Sequence, residues 1–163
     1  MSHHPLNPQN CPVAIDANAL DRDGGARDRL VDRLLPLGAS RVINLVVPKG
    51  VRVEMQHPRT PAHVQGPGLA QIYTIEVGLN SEEQRRKQII TAELQGNAKP
   101  GRHKADADHL FEAAKYGGFF ITHDERIPTK AGRLRDVLPP SLTVVTLAGF
   151  LAIFDDWEAR YPR

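Results

Sequence analysis

The stretch FFITHDERI, residues 119–127, decides the fold. Phe119, Phe120 and Ile121 form an apolar run without alternation, which suits a strand covered on both faces. The run then breaks into Thr122, His123 and Asp124. VAIDANAL, residues 13–20, repeats the pattern: an apolar run stopped by Asp16, with Asn18 two residues on. Further out, RVINLVVP (41–48) is another such run, closed by Pro48, and LTVVTL (142–147) is a fourth. Each reads as a buried strand, and two of the four end on a carboxylate.

Helical patterns lie between these strands. ARDRLVDRLLPLG (26–38) sets Leu30, Val31, Leu34 and Leu35 at helical spacing, with Gly38 suited to its end. KGVRVEMQ (49–56) predicts a helix carrying Glu54. SEEQRRKQIITAELQG (81–96) opens on Ser81 with Gln84 three residues later, a capping-box pattern, and stops at Gly96. ADADHLFEAAKYGG (105–118) predicts a helix ended by Gly117 and Gly118, and AGFLAIFDDWEARYPR (148–163) a last one. HPRTPAHVQGPG (57–68), rich in Pro and Gly, reads as a long loop, suited to a lid or a partner-binding segment. KPGRHK (99–104) and DERIP (124–128) also read as loop, and QIYTIEV (71–77) as either a short strand or loop. Strands alternating with helices imply an α/β fold: a central parallel sheet of about four to five strands in a three-layer α/β/α sandwich. Residues 1–11 read as a flexible lead-in and 12–163 as one domain.

Composition narrows the class. The chain has 163 residues, 40% hydrophobic and 25% charged, with a net charge of +2. That fits a soluble globular protein. No apolar run approaches a membrane span, and the first residues lack the pattern of a secretory signal, so a cytoplasmic setting is the simplest reading. Cys11, the one cysteine, excludes an internal disulfide or a cysteine zinc site, and reads as an inert residue at a strand edge.

In an open parallel sheet, sites lie beyond the carboxyl ends of the strands. Asp16 and Asp124 fall there. Glu54, on the helix after the second strand, and Asp106, opening the helix before FFITHD, face the same rim. Each acid also has a plain structural role open to it, such as a helix cap for Asp106. The inference rests on all four falling together. Four converging carboxylates repel one another unless a cation lies between them. A hard divalent ion, Mg2+ or Mn2+, fits oxygen ligands and can activate water beside a phosphoryl oxygen. Metal-dependent phosphodiester hydrolysis is the matching chemistry.

These residues resemble the PIN-domain family. VAIDANAL is similar to the family's opening strand with D-x-N-x-L, and VVPKGVRVEM (46–55) to its second strand and the helix bearing a Glu. DADHLFEAAKYGGFFITHDERI (106–127) resembles its D-A-x-H-L-x-x-A…G…F-x-T-x-D block, and TVVTLAGFL (143–151) its final strand and helix start. The resemblance spans about residues 12 to 155, in the family's order. It implies a doubly wound sheet and a Mg2+- or Mn2+-dependent ribonuclease, in many such proteins a toxin of the VapC kind paired with an antitoxin and forming a homodimer. Asp16, Glu54, Asp106 and Asp124 would be metal ligands or their close supports. Thr122 would orient an acid or a water, and Asn18 would hold Asp16 or a turn. Arg102 and Lys104, just before Asp106, and Arg85 and Arg86 are candidates for guiding an RNA backbone.

Other residues leave alternatives open. Asp108 or Asp106 could point at the metal, on different faces of one helix. His109 could ligate a metal or contact phosphate, though a packed helix histidine is the plainer reading. His123 should point away from Asp124. A haloacid dehalogenase-like phosphatase would need an acid where Asn18 stands and a lysine better placed than Lys130. A receiver domain would need a lysine that TVVTLAGF lacks. A PIN-like module that binds RNA or protein without turnover is the remaining rival.

Overall fold

Strands that are apolar on both faces can be buried only between two layers of helices. The computed structural model, which describes residues 6–75 and 78–162, has this arrangement. Five strands, β1 Pro12–Ile15, β2 Asn44–Val47, β3 Ile72–Tyr73, β4 Gly118–Ile121 and β5 Leu142–Val145, form one sheet in the order β3-β2-β1-β4-β5. Every neighbouring pair is parallel. The helices are α1 Ala26–Ala39, α2 Lys49–Met55, α3 Ala62–Leu69, α4 Ser81–Gln95, α5 Lys104–Tyr116, α6 Arg126–Ala131 and α7 Leu147–Arg160.

The pleat divides the core in two. β1 and β4 pair Val13 with Phe119, Ala14 with Phe120 and Ile15 with Ile121. Val13, Ile15, Phe119 and Ile121 face one core, built with Val31 and Leu34 of α1, Val51 and Met55 of α2, Val64 of α3 and Phe150 of α7. Phe119 and Phe150 meet edge to face with centroids 5.2 Å apart. Ala14 and Phe120 face the other core, with Ile90 and Leu94 of α4, Leu110 and Phe111 of α5 and Ile127 of α6. The ladder runs one residue past each strand: Asp16 N–H donates to Ile121 O at 2.9 Å, and Thr122 N–H to Val145 O at 3.1 Å. By the two-residue period, Asp16 and Thr122 fall on the α5 side, next in line after Ala14 and Phe120. The chain leaves β1 toward β2 and β3, then returns to β4 on β1's other edge. The exit of β1 is therefore the point where strand order reverses, where crevices form in such sheets.

Several elements differ from the sequence reading. Residues 57–68 are not all loop: α3 occupies Ala62–Leu69, with Pro67 inside it. Gly68 there breaks nothing; it is a packing glycine, since a Cβ would lie 2.4 Å from Met55 Sδ. The cap of α4 is Asn80 rather than Ser81. Its Oδ1 accepts from Glu83 N–H at 2.9 Å, and Glu83 Oε2 accepts from Asn80 N–H at 2.9 Å. Helix α6 begins within DERIP, which reads as loop, and a 3-10 turn, Gly132–Leu134, follows it. Gly96 and Gly117 do end α4 and α5. The ambiguous 71–77 segment supplies β3, and its last two residues lie outside the described ones. Of the lead-in, residues 1–5 also lie outside them, while Leu6 and Cys11 pack against the first core. Among the described residues, no helix is long and apolar enough to cross a membrane.

Candidate metal centre

Asp16 ends β1 and is only 3% exposed. A buried carboxylate requires donors. Asp16 Oδ1 accepts from Ala17 N–H at 2.8 Å, capping the 3-10 turn Ala17–Leu20. Oδ2 lies 3.2 Å from the Thr122 hydroxyl, which is equally 3.2 Å from Asn18 Oδ1. Thr122 Oγ1 also accepts from Asp124 N–H at 3.1 Å, and Asn18 Oδ1 accepts from His123 N–H at 2.9 Å. Thr122 and Asn18 thus lace the exit of β4 to the exit of β1. Asn18 is engaged in structure, which leaves no acid there for phosphatase chemistry. Lys130 is engaged as well, donating to Leu94 O at 2.6 Å.

Across the crevice, α5 presents His109, 4% exposed. Its Nδ1 stands 3.3 Å from Asp16 Oδ1, and its Nε2 stands 3.8 Å from Glu54 Oε2. Glu54 arrives from α2, with its side chain half exposed. Burial pushes the His109 imidazole down, but Asp16 beside it, then Glu54 and Glu112, outweigh that, and its pKa lies above the ordinary 6.5. Burial raises the Glu54 carboxyl; His109 opposes this, and Asp16, Asp106 and Asp21 add to it. Gly50 makes room for the imidazole: a Cβ there would approach His109 Cδ2 at 3.1 Å. The Gly50 N–H also donates to Glu112 Oε2 at 3.0 Å.

The four sequence-read acids fall into two groups. Asp16 and Glu54 join His109, one ligand atom from each lying within 4.8 Å of the others. Asp106 and Asp124 line an adjoining hollow with protein cations at hand. His103 Nδ1 is 3.1 Å from Asp106 Oδ2. Arg126 grips Asp124 through both oxygens, Nε to Oδ1 at 2.8 Å and Nη2 to Oδ2. That guanidinium holds the Asp124 carboxyl below its usual range. Asp106 still acts on Glu54 through its field. Asp108 is turned elsewhere, held between Lys87 and Lys104, each at 3.0 Å. His123 lies in the field of Arg27, Asp21 and Asp23, beyond the 3-10 turn, with a buried Nε2 that makes no hydrogen bond. Of the basic candidates, Arg86 pairs with Glu82 and Lys104 with Asp108. Arg85 and Arg102 are exposed and have no ionic partner among the described residues.

The donor set suits a divalent cation: two carboxylates and an imidazole converge at the C-terminal rim. His109 Nδ1 is buried and makes no hydrogen bond, although Asp16 Oδ1 is 3.3 Å away. Gly50 and Glu112, which shape the histidine's seat, were not singled out by sequence. The spacing of Glu112 three residues after His109 is the signal that puts them on one helix face. Compared with family models, with curated proteins and with solved structures, the chain finds no match.

Proposed function

We propose that the protein is a metal-dependent nuclease that hydrolyses RNA phosphodiester bonds at this rim. The observation that carries the reading is the buried Asp16 carboxylate at the strand-order reversal, facing Glu54 and His109 within 4.8 Å. A buried carboxylate beside a buried imidazole and a second acid is costly, and such groups cluster at functional sites. Asp16 and Glu54 would hold Mg2+ or Mn2+, which supplies water activation and charge neutralisation at a phosphoryl oxygen. Thr122 and the Ala17 N–H keep the Asp16 oxygens aimed. Asp106 and Asp124 flank the path of the substrate, and Arg126 is positioned to exchange Asp124 for a phosphate oxygen, since guanidinium binds both in the same forked geometry. An RNA substrate, a cytoplasmic setting, a homodimeric state and pairing with an antitoxin belong to the same proposal and stand on the PIN-family resemblance.

A second reading has its own support: Arg126 already pairs with Asp124, and His103 contacts Asp106, as suits a module that binds RNA or protein without cleaving. Cleavage of a mixed RNA pool separates the two. The purified chain should cut in Mn2+ or Mg2+, stop in EDTA, and lose at least about 100-fold in rate as Asp16→Asn. RNA retained with metal but never cut would favour the binding module. A folded protein that neither binds metal nor cuts would end the nuclease reading.

A further inference from the structure

The Asp16–Glu54–His109 group differs from an all-carboxylate site in one respect: it contains a nitrogen. His109 is 4% exposed, so its ring cannot turn to water. Asp16 Oδ1 lies 3.3 Å from Nδ1, within ion-pair range, yet Nδ1 makes no hydrogen bond. A hydrogen bond needs the N–H aimed at the oxygen. Two donor atoms whose lone pairs converge on a shared third point lie close together without being aimed at each other. Donors about 2.1 Å from one ion stand about 3 Å apart when adjacent and about 4.2 Å apart when opposite. Only one ring nitrogen can meet a given ion; through Nδ1, the 3.3 Å separation from Asp16 Oδ1 falls in that span, and one donor atom each from Asp16, Glu54 and His109 lies within 4.8 Å of the others. With Nδ1 as the ligand, Nε2 faces Glu54 Oε2 at 3.8 Å, beyond a direct hydrogen bond but close enough for the carboxylate's charge to favour the N–H there. Asp124, gripped by Arg126, leaves the ligand set to these three.

We propose that His109 is a nitrogen ligand of this centre, and that it makes the centre select a first-row transition ion over Mg2+. The inference rests on the metal reading above and goes further, to the class of ion. Mg2+ favours oxygen and keeps its waters, whereas imidazole favours ions of the transition series. The fold supports the seat: Gly50 leaves room for the ring, which a Cβ would crowd at 3.1 Å and 3.3 Å.

The test binds metal without RNA. The purified chain is titrated with Mn2+, read by loss of the free-ion EPR signal, and Mg2+ is used as competitor. Pulsed EPR of the bound Mn2+ then looks for nitrogen-14 coupling from a directly ligating ring. The expected result is a preference for Mn2+ over Mg2+ of at least about tenfold, with nitrogen coupling present. His109→Gln should lose about 10- to 100-fold in Mn2+ affinity together with the coupling. The wild-type spectrum is decisive even should the variant fail to fold. Absent nitrogen coupling, or coupling that persists in a folded His109→Gln protein, overturns the inference. Should RNA cleavage then still require metal, the nuclease reading stands on the carboxylates alone. Absence of both metal binding and cleavage sinks the two together.

Discussion

Thr122 has one hydroxyl proton and two oxygens 3.2 Å away that can take it, Asp16 Oδ2 and Asn18 Oδ1. It is fully buried, so water cannot replace it. Thr122→Val keeps the shape, removes the donor from Asp16 and also leaves the Asp124 N–H without its acceptor. The expected cost is about 1–3 kcal/mol, read as a lower urea midpoint, with an unchanged slope marking an intact fold. An unshifted midpoint would show that this hydroxyl has little part in holding the rim. Cys11 gives the opposite kind of statement. Burial pushes its thiol up to about 11, and its Sγ sits 3.0 Å from Asn7 O. Labelling by a thiol reagent at neutral pH should be slow in the native protein and fast in urea. Rapid native labelling would contradict the packed position of residues 6–11.

Among the elements, α4 depends on the reciprocal Asn80–Glu83 box. Asn80→Ala should cost about 1 kcal/mol in thermal or urea unfolding. The Glu83 carboxyl is held below 4.5, first by the Asn80 N–H and then by Lys115. A group lowered in the folded state stabilises above its unfolded pKa. The contribution of Glu83 is therefore complete above about pH 4.5, and is lost as pH falls through the folded value. Asn80→Ala keeps the backbone N–H that holds Glu83, whereas Glu83→Gln removes the titrating group, so the loss of helicity between pH 5 and 3 should be shallower in Glu83→Gln than in the wild type. The start of β4 is stricter. Gly118 has φ +81°, and a Cβ there would lie 2.0 Å from Pro12 O in the neighbouring strand. Gly118→Ala should cost about 3 kcal/mol or more, because both backbone strain and a clash with β1 must be relieved. A variant with native stability would mean the two strands are not so closely set.

At the scale of the molecule, the basic candidates divide: Lys104 opens α5 on the side of the acid rim, whereas Arg86 lines a hollow with Lys115, Gly117 and Ser141 at the other end of that helix. The charge is only +2, so any attraction for RNA is local rather than global. Arg102 is the candidate without a carboxylate partner near the rim; Lys104 is shared with Asp108. Arg102→Ala should weaken binding of single-stranded RNA and reduce the salt slope by about 0.7. Arg86→Ala, which removes a side chain already paired with Glu82, should change the slope less. Equal slopes for wild type and Arg102→Ala would remove Arg102 from the RNA path.

The fold was legible because its signals are local. Phe119–Ile121 and Val13–Ile15 are apolar at every position, and only a sheet buried on both faces satisfies that. Asp16, Thr122 and Asp124 were legible as a rim because a strand end is a sequence-level feature. Helix α3 was not, because Val64 and Gly68 are held by α2 and by the turn after β1, contacts absent from a window containing two prolines. The membership of the site was legible only in part. Sequence alone determined which residues carry charge and which end of the sheet they reach. Tertiary structure alone decided that Arg126 takes Asp124, that Lys87 and Lys104 take Asp108, and that His109 stands between Asp16 and Glu54. Partner choice depends on distances of a few ångströms between elements far apart in the chain, and no local pattern encodes them.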